Sequence, residues 1–415
     1  MRITRGRGWK VFGILLLSIV YANAQTTDSL DIKIGQMILI GFPGTTVDQK
    51  VLEEIRAGKV GSIIFFEKNI APTNSFINVK KVTWTYQQAA KIPLFIGIDQ
   101  EGGRVNRLKN KYGFPSSITA AAMGKSGSLD SVKIYAEATA ATLSGLGFNI
   151  NFAPVVDLAS NPNNPIIAKY GRAFSANEDT VILMAKEFIR QHHKYRVLTS
   201  LKHFPGHGSS KDDTHLGIAD VTSTCNESEL KPYKQLIDSG YADAVMTSHI
   251  VNKNLDKAGN PGTLSHDILD GVLRKRLNFG GVVFSDDMQM HAITKHYGLE
   301  ETIKLAILAG VDIMTFSNNI SGSDERTVDR VHQIIKDFVK KGDISTERIN
   351  QSYQRIMKLK SQLGKSEADV YEEKLEDILN QAKAQEEKLL EENAELKKQL
   401  EESQLTKKEK KKRKK

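Results

Sequence analysis

Residues Leu201–His215, Leu-Lys-His-Phe-Pro-Gly-His-Gly-Ser-Ser-Lys-Asp-Asp-Thr-His, hold three histidines, two lysines and two aspartates within fifteen positions. An apolar, strand-like run, Arg196–Leu201, leads into them, and Pro205-Gly206 breaks regular structure. His207–His215 therefore reads as a loop leaving the end of a strand. Imidazoles and carboxylates on such a loop are poor core material and good material for moving protons on a substrate. Asp213 stands two residues from His215, close enough to bond one ring nitrogen and orient the other. That arrangement raises imidazole basicity and makes a general acid and base. The same stretch allows a second chemistry, because His203, His207, Asp213 and His215 make a zinc set. Against zinc, no His-x-His pair stands on a strand, and Lys202 beside His203 would repel a cation.

Two further stretches carry ionisable groups. Gly281–Met288 runs from an apolar strand into adjacent carboxylates, Asp286 and Asp287. Strand alternation aims them in different directions, so one faces the mouth, as nucleophile, metal ligand or helix cap. Gly97-Ile-Asp99-Gln-Glu-Gly-Gly-Arg104-Val-Asn-Arg107 brings a carboxylate and two arginines to one loop, with Gly102-Gly103 permitting a sharp turn. Asp99 suits a bidentate grip on vicinal hydroxyls, and Arg107 a grip on an acyl oxygen or carboxylate. Asn161–Pro165 through Gly171–Phe174 reads as a rigid polar loop over the same face.

The elements that must position these groups recur along the chain. Short runs rich in Ile, Val, Leu and Phe occupy Ile34–Gly41, Gly61–Phe66, Ile92–Asp99, Phe148–Asp157, Val197–His203, Ala242–His249, Gly281–Asp286 and Val311–Phe316. They are apolar on both faces, as buried parallel strands require. Helix-like segments such as Thr180–Tyr195 and Glu300–Ala309 lie between them. Eight strands alternating with helices predict an α/β fold, a (β/α)₈ TIM-type barrel over residues 30–363. Asp99, Asp157, Lys202-His203, His249, Asp286-Asp287 and Ser317-Asn318 then stand at successive strand ends, where barrels of this kind carry their active face.

Composition bounds the remaining classes. The chain is 40% apolar and 26% charged, ordinary values for a globular protein. Its formal charge of +9 is concentrated at the ends, seven net charges in Lys407–Lys415 and four in Arg2, Arg5, Arg7 and Lys10. The body between them is left at 9 − 11, or −2, which gives no electrostatic footprint for nucleic acid. Residues 1–24 read as a secretory signal, with basic residues, the apolar run Val11–Tyr21, and Ala22-Asn23-Ala24 before Gln25. That run is shorter than the ~20 residues a membrane span needs. An exported protein, periplasmic or extracellular, is the expectation. Cys225 is the single cysteine, so no disulfide forms within the chain. Residues 366–405, dense in Glu, Lys, Leu and Gln, predict a long charged helix. Its partial heptad seam permits self-association as a coiled coil. Residues 406–415 read as a basic disordered tail.

Five of these motifs, taken together and in order, resemble glycoside hydrolase family 3 in its β-N-acetylhexosaminidase branch. They are Asp99–Arg107, Asn151-Phe-Ala-Pro-Val-Val-Asp157, Lys202-His-Phe-Pro-Gly-His-Gly208, Asp213-Thr-His215 and Phe284-Ser-Asp-Asp-Met288, and the likeness runs from about Ile32 to Leu363. The resemblance implies a retaining mechanism on β-linked N-acetylglucosamine, with no metal and no organic cofactor. It implies Asp286 as nucleophile, His215 assisted by Asp213 as acid and base, and Asp99, Arg107, Arg172, Lys202 and His203 as binders of the sugar. Asp287 becomes a local hydrogen-bond partner. The partner expected is an amino-sugar oligosaccharide, from peptidoglycan or chitin. A phosphorylase and a non-catalytic glycan-binding module are the alternatives.

Overall fold

The computed structural model describes residues 29–212, 217, 219–290, 293, 296–319, 328–364, 381, 383–395 and 397–398. Its strands are β1 (Ile38–Gly41), β2 (Ser62–Phe65), β3 (Phe95–Ile98), β4 (Ile150–Asn151), β5 (Leu198–Phe204), β6 (Ala219–Asp220), β7 (Ala244–Thr247), β8 (Ile250–Val251), β9 (Val282–Asp287) and β10 (Ile313–Phe316). Eight of them close a parallel barrel in the order β1-β10-β9-β7-β5-β4-β3-β2, and β6 pairs with β8 outside it. The (β/α)₈ expectation holds, and each of the eight apolar runs contributes one barrel strand.

The runs differ in detail from simple strands. Ile34–Gln36 ends a helix, Leu30–Gln36, so the first strand begins only at Ile38. The fourth run pairs regularly at Ile150–Asn151 alone and then leaves the ladder toward Asp157. His249 lies beyond the end of β7 and is fully buried rather than facing the mouth.

Aromatic rings fill the barrel's interior. Phe95 on β3 and Phe284 on β9 meet edge to face at 6.0 Å between centroids, although their strands are not neighbours. Phe152 reaches Phe284 at 5.3 Å. Gly97 makes room for it, since a Cβ there would stand 2.6 Å from the Phe152 ring. The outer helices follow the same economy. Helix Glu178–Lys194 buries Val181, Met184, Ala185, Phe188 and Ile189 along one stripe. Asn177 caps its start by accepting the Thr180 amide at 2.9 Å.

At the N-terminal end of the strands, Lys360 closes the barrel floor. Its ammonium donates to Gln36 Oε1 at 2.6 Å and to the Gly61 carbonyl at 2.8 Å. It also lies 5.1 Å from the centre of the Phe95 ring. Residues 383–395 are helical and carry Leu389 and Leu390 exposed. The signal segment 1–24, the basic tail 406–415 and most of 366–405 lie outside the described residues. No described helix is long and apolar enough to cross a membrane.

Burial lowers the Lys360 ammonium to about 7. Between that value and its ordinary one, the unfolded chain binds the proton and the folded chain does not. Stability therefore rises with pH across about 7 to 10. Melting temperatures measured across that range should climb in the wild type, and the climb should flatten in Lys360→Met.

Candidate active site

A cavity of about 500 Å³ opens at the C-terminal ends of the strands, lined by Asp99, Arg107, Arg172, Lys202, His203 and Asp286 among others. Six of the eight residues singled out in the sequence thus meet in one place. Asp213 and His215 lie outside the described residues.

The β3 loop builds the first wall. Gly102 and Gly103 take positive φ, 104° and 60°, and the amides of Glu101 and Gly102 return to the Val105 carbonyl. Gln100 Oε1 accepts the amides of Arg107 and Leu108 at 3.0 and 3.1 Å, which fixes where Arg107 leaves the backbone. Arg107 Nη2 donates to Asp99 Oδ2 at 3.2 Å, and its guanidinium lies 5.5 Å from the Phe66 ring centre. Among the described residues its buried Nε has no acceptor.

From Asp99 a chain of alternating charge runs inward. Lys202 Nζ donates to Asp99 Oδ1 at 2.8 Å and pairs with Glu101 Oε1 at 2.7 Å. Arg172 holds Glu101 bidentately, through Nε at 2.8 Å and Nη2 at 2.7 Å. Arg172 Nη2 also lies 3.1 Å from His203 Nε2, and His203 Nδ1 lies 2.7 Å from Asp157 Oδ2. A guanidinium only donates, so Nε2 accepts and the His203 proton sits on Nδ1, donated to Asp157. Both ring nitrogens are engaged, which removes His203 from the zinc set.

Burial alone would raise the Asp99 carboxyl, but Lys202 and then Arg107 hold it below the ordinary range. Glu101 behaves likewise, with Arg172 and Lys202 outweighing its burial. Asp157 is held low despite burial by His203 and by the His207 amide, which donates to Oδ1 at 2.8 Å. Burial lowers the His207 imidazole to about 4. Each carboxylate oxygen has two lone pairs, so Asp99 keeps acceptor capacity for hydroxyls.

The opposite wall carries Asp286, and the ladder explains its exposure. Phe284 pairs with Ile313 and Asp287 with Thr315, so Ser285 and Asp286 stand opposite Met314 alone. This bulge re-aims the strand end. Ser285 Oγ takes the Thr315 amide at 2.9 Å, and Thr247 Oγ1 takes the Asp286 amide at 3.2 Å. Asp287 turns its carboxylate to Ser317 Oγ and to the Gln289 amide, the latter at 3.1 Å. Burial first, offset in part by Ser317, raises it to about 6. Lys202 and His203 sit on a matching bulge, opposite Met246 alone, because Leu201 pairs with Val245 and Phe204 with Thr247.

Sequence reasoning assigns Glu101 no task and Asp157 only a place at a strand end; Glu101 holds Arg172 and Lys202, and Asp157 holds His203. Their signal was visible in hindsight: each stands in a quoted motif as a carboxylate without an assigned task. Arg104, stacked 4.2 Å from the Tyr170 ring centre, completes the rim.

Fold and site together define a TIM-type barrel with a polar, ion-paired cavity and a strand-end carboxylate at its C-terminal face. The chain belongs to glycosyl hydrolase family 3, whose N-terminal domain matches residues 29–359. It is 31% identical over 345 residues to a β-hexosaminidase A of Pseudoalteromonas piscicida, covering 79% of this chain and 57% of that one. It is 32% identical over 289 residues to a β-hexosaminidase of Tolumonas auensis, covering 69% and 84%. A solved family 3 β-N-acetylglucosaminidase from Paenibacillus sp. superposes with a TM-score of 0.74 at 33% identity, over 81% of this chain and 62% of that one. The chain thus spans less than two thirds of the Pseudoalteromonas and Paenibacillus proteins.

Glu101→Ala strips Arg172 of its carboxylate inside the fold. Removing one partner of a buried ion pair costs about 3–5 kcal/mol, and urea unfolding should read a loss of that size.

Proposed function

We propose that this chain is a retaining β-N-acetylhexosaminidase that removes terminal β-linked N-acetylglucosamine from short amino-sugar chains, such as peptidoglycan or chitin fragments. The observation that carries the reading is Asp286 on its bulged strand end, in the same cavity as the Asp99, Arg107 and Lys202 cluster. The names of the family 3 relatives point the same way.

Asp286 attacks the anomeric carbon as the glycosidic C–O bond breaks, and His215, oriented by Asp213, protonates the departing oxygen. His215 then takes a proton from water, whose oxygen displaces the Asp286 carboxylate. Two inversions retain the configuration. Asp99 accepts from vicinal hydroxyls of the sugar. Arg107, Arg172, Lys202 and His203 complete the binding of its hydroxyl and acetamido groups. An imidazole acid avoids placing a second carboxylate beside the nucleophile. The residue pattern at 1–24 supports action outside the cytoplasm.

Nitrophenol release in phosphate-free buffer tests this. The β-N-acetylglucosaminide should be cleaved far faster than the β-glucoside, and added phosphate should change neither the rate nor the product. Phosphate-dependent turnover yielding a sugar phosphate would replace the hydrolase with a phosphorylase. Sugar binding without turnover would make the barrel a binding module. Asp286→Ala should abolish turnover. His215→Ala should cost about 10²–10⁴-fold, with the larger loss on aglycones that need protonation.

A further inference from the structure

At the bulge Ser285 and Asp286 together face Met314, and buried side chains help to hold the strand end that carries the carboxylate. The structure assigns that task to Thr247, Thr263 and His249, which we infer to be positioning residues for the Asp286 carboxylate. The inference rests on Asp286 being the nucleophile, as proposed above.

All three side chains are fully buried. Thr247 Oγ1 accepts the Asp286 amide at 3.2 Å and lies 2.6 Å from Thr263 Oγ1. Thr263 Oγ1 lies 2.8 Å from His249 Nδ1 and 3.1 Å from the Ser248 carbonyl. His249 Nε2 lies 2.9 Å from the Asp287 carbonyl. A carbonyl only accepts, so His249 donates from Nε2 and presents Nδ1 as an acceptor. Thr263 has one hydroxyl proton, shared between Nδ1 and the Ser248 carbonyl, and Thr247 gives its proton to Thr263.

The result is a relay that begins at the amide of Asp286 and ends at the carbonyl of Asp287. Both sides of the segment between the two aspartates are pinned. The Asp287 amide within it donates to Asp286 Oδ1 at 2.8 Å, so the backbone fixes the carboxylate through its own oxygen. Thr263 and His249 belong to no contact with the cavity. They act through the backbone, and a misplacement of the attacking atom by ~1 Å is enough to cost about 10²-fold in rate.

The test separates attack from binding. A ring-fluorinated N-acetylglucosaminyl fluoride places its anomeric carbon on Asp286: a carboxylate C–O bond forms, the C–F bond breaks, and fluoride leaves. Thr263→Val removes the hydroxyl and keeps the shape. Labelling of Asp286, followed by mass spectrometry, should slow about 10–100-fold in that variant, while inhibition by N-acetylglucosamine stays at the wild-type level. Thr247→Ser, which keeps the hydroxyl, should label at the wild-type rate, and Thr247→Val should match Thr263→Val. Unchanged labelling in both valine variants overturns the inference, as does an equal loss of labelling and of inhibitor binding. A wild-type enzyme that releases nitrophenol but is labelled elsewhere than Asp286 overturns the nucleophile assignment, and this inference with it. Melting temperatures within a few degrees of wild type exclude misfolding as the cause.

Discussion

The buried chain of ion pairs from Arg107 to Arg172, continued through His203 to Asp157, is the constraint on which the site depends. Arg107, Asp99, Lys202, Glu101, Arg172, His203 and Asp157 come from four separate parts of the sequence and bond in that order. Glu101 and Lys202 keep 5% and 3% of their side-chain surface exposed, so neither charge has water to fall back on. A buried ion without a partner is far costlier than a buried pair. Each link therefore needs the next, and the loops that carry them are held to one geometry. The polar cavity is the outer edge of this chain.

Two bulges convert a regular barrel into that geometry. A parallel ladder alternates its side chains, and would aim one of each adjacent polar pair away from the mouth. At Lys202–His203 and again at Ser285–Asp286 two residues oppose one. Side-chain hydroxyls take over the lost ladder bonds, Ser285 for the Thr315 amide and Thr247 for the Asp286 amide. Buried backbone groups are thereby satisfied at the points where the strand departs from regularity.

The segment His207–Ser210 is fixed by its neighbour. Asn164, fully buried, accepts the amides of Ile166 and Ile167 and donates to the carbonyls of His207 and Gly208. Asn161 donates to the Ser210 carbonyl at 2.8 Å. Gly208 passes so close to Leu158 that a Cβ would stand 1.8 Å from its carbonyl oxygen. The polar segment read from Asn161–Pro165 is thus a brace, in which Asn164 uses its two donors and two lone pairs on backbone.

What the sequence determined by itself was the architecture and the membership of the site. Eight runs apolar on both faces admit little but a buried parallel sheet, because only strands covered on each side tolerate that composition. Ionisable residues at their ends have one affordable place, the open face of the barrel. Asp99, Lys202, His203 and Asp286 follow from that argument, Arg107 from the loop after Asp99 and Arg172 from the family resemblance, and all six meet there. Pairing, register and partner choice were decided by tertiary structure. Nothing local marks Ser285 as a bulge residue, since the bulge exists only against Met314 of the neighbouring strand. Glu101 and Asp157 read as spare carboxylates until Arg172 and His203 arrive from distant segments. His249 reads as a mouth residue until Thr263 folds over it. Spacing along the chain specifies which groups a strand end can offer, but whether a buried charge or amide is satisfied depends on groups that only folding brings within 3 Å or so of it.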